Sequence, residues 1–241
     1  MEYPLTTPQD ATEQIAQWLR LCPVFQEWPD RRLWELAQAS RAQHYPRHAQ
    51  FARRHMQARD IYLVVSGSVE ITSTNSQGDK FVLGLLRAGQ ITQLVRLMDE
   101  LPFRFDGYAR EDSTIVHIPA AVMEQILDAE PALWRSIARL TLRRFSLSTQ
   151  AHQGQALGSL RCRVAAMLYN LASGYGELPL EAAQAELQIT QVELAHMLGV
   201  SRQTVSQELG QLKQEGMVDS VGYRRIVLLD VPALLRIACE E

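Results

Sequence analysis

Residues 190–215 restrict the possible folds of this chain more than any other stretch. Leu194, Ala195 and Leu198 fall on one face of a first helix, with the small Ala195 where a second helix must approach closely. Gly199 then supplies a turn that other residues would find strained, and Val200 is expected to tuck inward. Ser201 is a favourable N-cap, able to accept from the free N–H groups of the helix that follows. Val205, Leu209 and Leu212, at i, i+4 and i+7, form that helix's buried stripe. The pattern is a helix-turn-helix. Its second helix presents Arg202, Gln203, Ser206 and Gln207 on the face opposite the stripe.

That face suits the major groove of double-stranded DNA. Arginine can bond both acceptors of guanine and glutamine can pair bidentately with adenine, each contact discriminating by about 1–3 kcal/mol. Residues 221–228 read as a hairpin with a glycine turn and with Arg224 and Arg225 at its tip, a wing placed to touch backbone phosphate. Gln191, Ser201, Thr204 and Lys213 are further expected backbone contacts. Charge alone argues the other way. The chain has a net charge of −3, and residues 159–241 hold seven basic and ten acidic side chains. Within 191–228, Arg202, Lys213, Arg224 and Arg225 are balanced by Glu193, Glu208, Glu215 and Asp219. A DNA-binding field is therefore expected to come from geometry, with cations on one face and carboxylates elsewhere. Two helices packed without nucleic acid are the plainer alternative.

Upstream, residues 12–38 carry apolar positions at helical spacing, broken by Cys22-Pro23 and Trp28-Pro29. From about residue 44 the pattern becomes β-rich, with Ile61–Val65, Val69 and Ile71, Phe81–Leu83 and Ile115–Ile118 separated by turn signals at Ser66-Gly67, at 75–79 and at Arg87-Ala88-Gly89. Several short strands at this spacing predict an antiparallel barrel or jelly roll. From Pro131 to about Gln153 neither glycine nor proline interrupts, and Leu133, Ile137, Leu140, Arg144 and Leu147 recur at spacings of four and three, as in a coiled-coil seam. A second row, Trp134, Ala138, Thr141 and Phe145, lies beside it. A helix so broadly apolar is expected to bury one face on the β-rich part and one on a partner; packing only within its own chain is the alternative. The two glycines of residues 153–158 suggest a hinge before a fresh amphipathic helix at Leu160, Val164, Met167, Leu168 and Leu171. The expected organisation is a β-roll domain over 1–130, a dimerisation helix over 131–153 and a winged helix-turn-helix domain over 154–241, an α+β chain.

With 241 residues, 46% of them hydrophobic and 21% charged, the chain has the usage of a globular protein large enough for two domains. It shows neither a membrane-length apolar run nor a basic, apolar leader, which predicts a cytoplasmic protein. Cys22, Cys162 and Cys239 form no Cys-x-x-Cys pair, so neither a disulfide framework nor a metal site is expected. No nucleophile triad, P-loop or paired-carboxylate motif stands out, so no catalytic residue is named and an enzyme is not expected. A regulatory module acting on proteins rather than DNA is a further alternative, against which the wing arginines speak.

Across nearly its full length the chain resembles the CRP/FNR family of bacterial transcription regulators. The resemblance rests on residues 21–25 (Leu-Cys-Pro-Val-Phe), 61–69 (Ile-Tyr-Leu-Val-Val-Ser-Gly-Ser-Val), 88–91 (Ala-Gly-Gln-Ile), the long helix and 199–206 (Gly-Val-Ser-Arg-Gln-Thr-Val-Ser). It implies a homodimer on a palindromic operator, with RNA polymerase as a partner and an effector at the β-roll. Cyclic-AMP-binding members hold the ribose with a Gly-Glu pair and the phosphate with an Arg-Ser pair. Those pairs fall here on Gln93-Leu94 and Phe103-Arg104, so three of four groups are lost, although a one-residue slip would restore Arg104. Tight cyclic-nucleotide binding is therefore not expected. The resemblance also includes members with an iron–sulfur cluster, but one N-terminal cysteine is too few. No cofactor is expected, while His44, His48, His55 and His117 keep a haem sensor open as an alternative, beside another small-molecule effector or none. Gln203 stands where a glutamate is frequent in the family, Gln207 where an arginine is, and Glu208 where the slot is often apolar.

Overall fold

The computed structural model describes residues 8–56, 58–74, 80–98, 105–173, 184–221 and 225–239. The chain divides into two compact units, one of residues 1–73 and 83–140 and the other of residues 74–82 and 141–241.

The first unit begins with α1 (Pro8–Arg20), a short 3-10 turn (Pro23–Phe25) and α2 (Asp30–Ala39), with breaks at the two X-Pro steps. Among the described residues eight strands follow: β1 (Arg41–Tyr45), β2 (Gln50–Ala52), β3 (Asp60–Ser66), β4 (Ser68–Thr74), β5 (Lys80–Arg87), β6 (Ile91–Thr92), β7 (Asp106–Ala109) and β8 (Ser113–Pro119). They form two four-stranded sheets, ordered β1-β8-β3-β6 and β2-β7-β4-β5. The two-residue period of a strand explains how β3 and β8 are buried on both faces. Ile61, Leu63, Val116 and Ile118 pack with Leu19, Cys22, Phe25, Trp28 and Leu36 against the helices. Val64, Tyr62 and Ile115 turn the other way, into a second core with Tyr45, Phe51, Val69, Ile71 and Leu86. This is the antiparallel β-roll expected from the strand spacing. β1, β2, β6 and β7 carry too few consecutive apolar residues to announce themselves.

α3 (Ala120–Ala129) follows Pro119 directly, and a 3-10 turn (Pro131–Leu133) leads into α4 (Trp134–Leu157). The expected seam residues Leu133, Ile137 and Leu140 are buried in the first unit's own core. Arg144 and Leu147 are half-buried. Among the described side chains of α4, the large apolar ones left open are Leu142 and Phe145, 66% and 69% exposed. A seam facing the chain's own core and one facing a partner have the same spacing; the first three residues of this stripe face the core of the first unit. The helix also runs through Gly154, where a hinge was expected, and the break is the short step at Gly158-Ser159 before α5 (Leu160–Ala172).

The second unit continues with β9 (Ala185–Leu187), α6 (Gln191–Leu198), α7 (Arg202–Gln214), β10 (Val218–Val221), β11 (Arg225–Leu228) and α8 (Val231–Cys239), which packs on α5. Among the described residues, β9, β10 and β11 form one sheet, ordered β10-β11-β9. Val164, Leu168, Leu194, Val205, Leu212, Ile226 and Leu234 are among the unit's buried side chains. Among the described residues no helix is long and apolar enough to cross a membrane.

Candidate nucleic-acid interface

The helix pair is held by local chemistry at each of its joints. Thr190 caps α6 in a reciprocal box: its Oγ1 accepts from Glu193 N at 3.1 Å, and Glu193 Oε2 accepts from Thr190 N at 2.7 Å. Gly199 ends the helix with φ 66°, in the left-handed region. Val200 N then donates to Ala195 O at 3.1 Å, and Val200 is half-buried rather than fully inward. Arg163 Nη2 donates to Leu198 O at 2.5 Å, satisfying a free carbonyl at the end of α6. Ser201 caps α7 as expected, accepting from Thr204 N at 3.1 Å, with the two hydroxyls 2.6 Å apart. Val205, Leu209 and Leu212 are buried, and Arg202, Gln203, Ser206 and Gln207 are all exposed on the opposite side.

Between the first turns of α6 and α7 and the β10–β11 pair lies a cleft of about 330 Å³, whose polar lining is Thr190, Gln191, Arg202, Ser220 and Arg225. The antiparallel pairing Val221↔Arg225 forms the base of the expected wing. Arg224, the other wing arginine, lies outside the described residues.

The expected segregation of charge is not what the fold makes. Arg225 Nη1 donates to Glu186 Oε1 at 3.2 Å, and Lys213 Nζ lies 2.6 Å from Asp219 Oδ1. Arg161 is paired with Glu215. The Lys213 ammonium, and after it the Ser220 N–H, hold the Asp219 carboxyl below the usual carboxylate range. Arg161 does the same for Glu215. Cations and carboxylates are therefore interleaved: Arg225 meets Glu186 and Arg161 meets Glu215 across long stretches of chain, while Lys213 meets Asp219 locally, where α7 ends and β10 begins. Glu208 is half-buried, and its Oε2 has no hydrogen-bond partner among the described residues.

In the first unit, Gln93 occupies its place with φ 71°, a left-handed conformation, and opens a 3-10 turn whose Leu94 is 8% exposed and packs into the helix-side core. Phe103 and Arg104 lie outside the described residues. His117 is 3% exposed between Tyr45 Oη, 2.8 Å from its Nε2, and Asp60 Oδ2, 3.2 Å from its Nδ1. Arg41 Nη2 also lies 2.9 Å from Nδ1 and donates to Asp60 at 3.0 Å. Nδ1 donates to Asp60 or accepts from Arg41, and the Tyr45 hydroxyl takes the complementary role at Nε2. The His117 bond, with Arg41 adding to it, holds the Asp60 carboxyl low, and burial pushes the Tyr62 hydroxyl up to about 12. His44 stands on the exposed edge strand β1, and His48 and His55 sit in turns with φ 70° and 67°. Among the described residues no three His, Cys, Asp or Glu side chains are grouped to hold a metal ion.

Comparison with known proteins agrees with this architecture. The Crp-like helix-turn-helix domain matches residues 162–237, and the cyclic nucleotide-binding domain matches residues 42–130. The chain is 31% identical over 175 residues to the cyclic AMP receptor protein of Thermus thermophilus, spanning 70% of this chain and 77% of that one. The chain belongs to the CRP/FNR family. It is a DNA-binding transcription regulator. The transcriptional regulatory protein btr of Bordetella pertussis is 27% identical over 184 residues, 75% of this chain and 74% of that protein. The structure of FixK2 from Bradyrhizobium japonicum shares the fold, with a TM-score of 0.69 at 19% identity over 84% of this chain and 98% of that one.

Proposed function

We propose that this regulator binds a palindromic operator as a homodimer, placing α7 of each protomer in successive major grooves. Arg202, Gln203, Ser206 and Gln207 read bases, and Gln191, Ser201, Thr204, Lys213, Arg224 and Arg225 hold the backbone. The observation that carries this is the exposed polar row on α7, standing opposite a fully buried stripe on a helix whose start is fixed by the Ser201 cap. Two-fold symmetry then requires half-sites about one helical turn apart. The exposed Leu142 and Phe145 of α4 are the surface on which the protomers meet. Family membership adds RNA polymerase as the partner on DNA.

Operator selection from random duplexes followed by gel-shift titration tests the reading. Arg202→Ala should lose discrimination at one base pair, worth about 1–3 kcal/mol, while Arg224→Ala should weaken all sequences about equally and flatten the salt dependence. Two variants that bind the selected operator like the wild type would overturn it.

The β-roll works without cyclic AMP, haem or an iron–sulfur cluster. The relative from Thermus thermophilus is a cyclic AMP receptor by name, but the position that would accept the ribose hydroxyl is Leu94 here, buried in the core. His117, the most buried of the candidate haem ligands, has both ring nitrogens engaged. Calorimetric titration should show no micromolar binding of cyclic AMP or cyclic GMP, and such binding would refute this part. Another small molecule as effector, or none, is left to spectroscopy and native mass spectrometry of the purified dimer.

A further inference from the structure

Glu186 is the middle residue of β9, opposite Val227 of β11, so its side chain shares a face with Arg225 two residues earlier on the partner strand. Its Oε1 accepts from Arg225 Nη1 at 3.2 Å and from Gln188 Nε2 at 3.0 Å. Gln188, two residues along and on the same face, braces the carboxylate where the guanidinium meets it. Both charged side chains are well exposed, 41% for Arg225 and 45% for Glu186, so water screens their attraction and the pair is readily exchanged. Arg225 also lines the cleft that holds Arg202, Gln191 and Ser220. A phosphate entering that cleft offers Arg225 the same kind of anionic, two-oxygen acceptor that Glu186 does.

We propose that Glu186 is a built-in competitor for the DNA phosphate that Arg225 engages, and thereby sets how tightly this protein holds DNA of any sequence. The inference rests on Arg225 being a backbone contact, as read above. Before binding, the carboxylate neutralises the guanidinium; on binding, a phosphate takes its place, and Arg225 adds less than one full cation to the interface. Glu186 touches no base, so its effect is the same on operator and non-operator DNA. Its consequence is a low non-specific affinity, which leaves discrimination to Arg202 and Gln203.

The test uses the full-length protein and fluorescence anisotropy with a random-sequence duplex about three helical turns long, from about 50 to 200 mM potassium chloride. Glu186→Gln should bind about two- to fivefold more tightly at the lowest salt, and its plot of log affinity against log salt should steepen by up to about 0.9. Glu186→Ala, which leaves no acceptor for Arg225, should gain at least as much. Both gains should vanish when Arg225→Ala is added. Unchanged or weaker binding by both Glu186 variants would overturn the proposal. So would a gain that persists without Arg225, because Glu186 would then act on the DNA directly. If Arg225→Ala alone leaves wild-type binding unchanged, the backbone role of Arg225 fails along with the competition, which tells the two failures apart.

Discussion

Two glycines with the same backbone need separate accounts. Gly67, between β3 and β4, has φ 77° and Gly199 has φ 66°, so both occupy the left-handed region that penalises a side chain. A Cβ on Gly199 would meet nothing within 4 Å, whereas one on Gly67 would come within 2.6 Å of Asp112 O and 2.9 Å of Ser113 Cα. Gly199→Ala should therefore cost only backbone strain, about 1 kcal/mol, and Gly67→Ala about 2–4 kcal/mol through the added collision with backbone. Urea midpoints of the two variants check the difference. Both turns were readable from the glycines themselves. Gln93 was not, since nothing in Gln-Leu-Val-Arg signals a left-handed residue; its conformation is imposed by the β6 strand and the turn that follow each other there.

At the scale of elements, α4 shows what a periodic pattern can and cannot say. Residues 131–153 announced a long helix with more apolar surface than one contact needs, and the helix is there. Which stripe faces inward depends on how the 3-10 turn after α3 sets its phase, and that follows from packing against Trp28, whose Nε1 donates to Ser136 Oγ at 3.1 Å. Ile137→Ala should then cost about 2–4 kcal/mol in thermal unfolding, as a core truncation. Phe145→Glu should shift sedimentation from dimer to monomer, and its melting temperature should lose the concentration dependence that dimerisation gives the wild type. Dimers that survive Phe145→Glu at micromolar concentration would place the interface elsewhere. The helix-turn-helix was legible nearly residue by residue because its stripe, turn and cap lie within one short segment. β9 was not, since its three mixed residues carry no strand signal.

For the whole molecule, net charge is a poor guide to the partner. The balance of −3 comes from an acidic C-terminal part, yet Arg161, Lys213 and Arg225 each meet a carboxylate within the same unit. The same coupling makes stability depend on acid. Asp60 has a lowered carboxyl pKa in the fold, so its contribution is complete above its unfolded value near pH 4 and is lost as pH falls through the lower folded value. The melting-temperature difference between wild type and Asp60→Asn should accordingly be constant above about pH 5 and shrink below about pH 4. A difference that grows on acidification would contradict the His117–Asp60 arrangement. The order of the elements and the exposed polar face of α7 were determined by sequence alone, because strand alternation, helical spacing and capping act between residues a few positions apart. Tertiary structure decided which face of α4 is free, which carboxylate sits beside which cation, and that Leu94 packs in the helix-side core. Those outcomes join Glu186 to Arg225, Asp60 to His117 and Trp28 to Ser136, pairs separated by stretches of chain over which local pattern carries no information about distance.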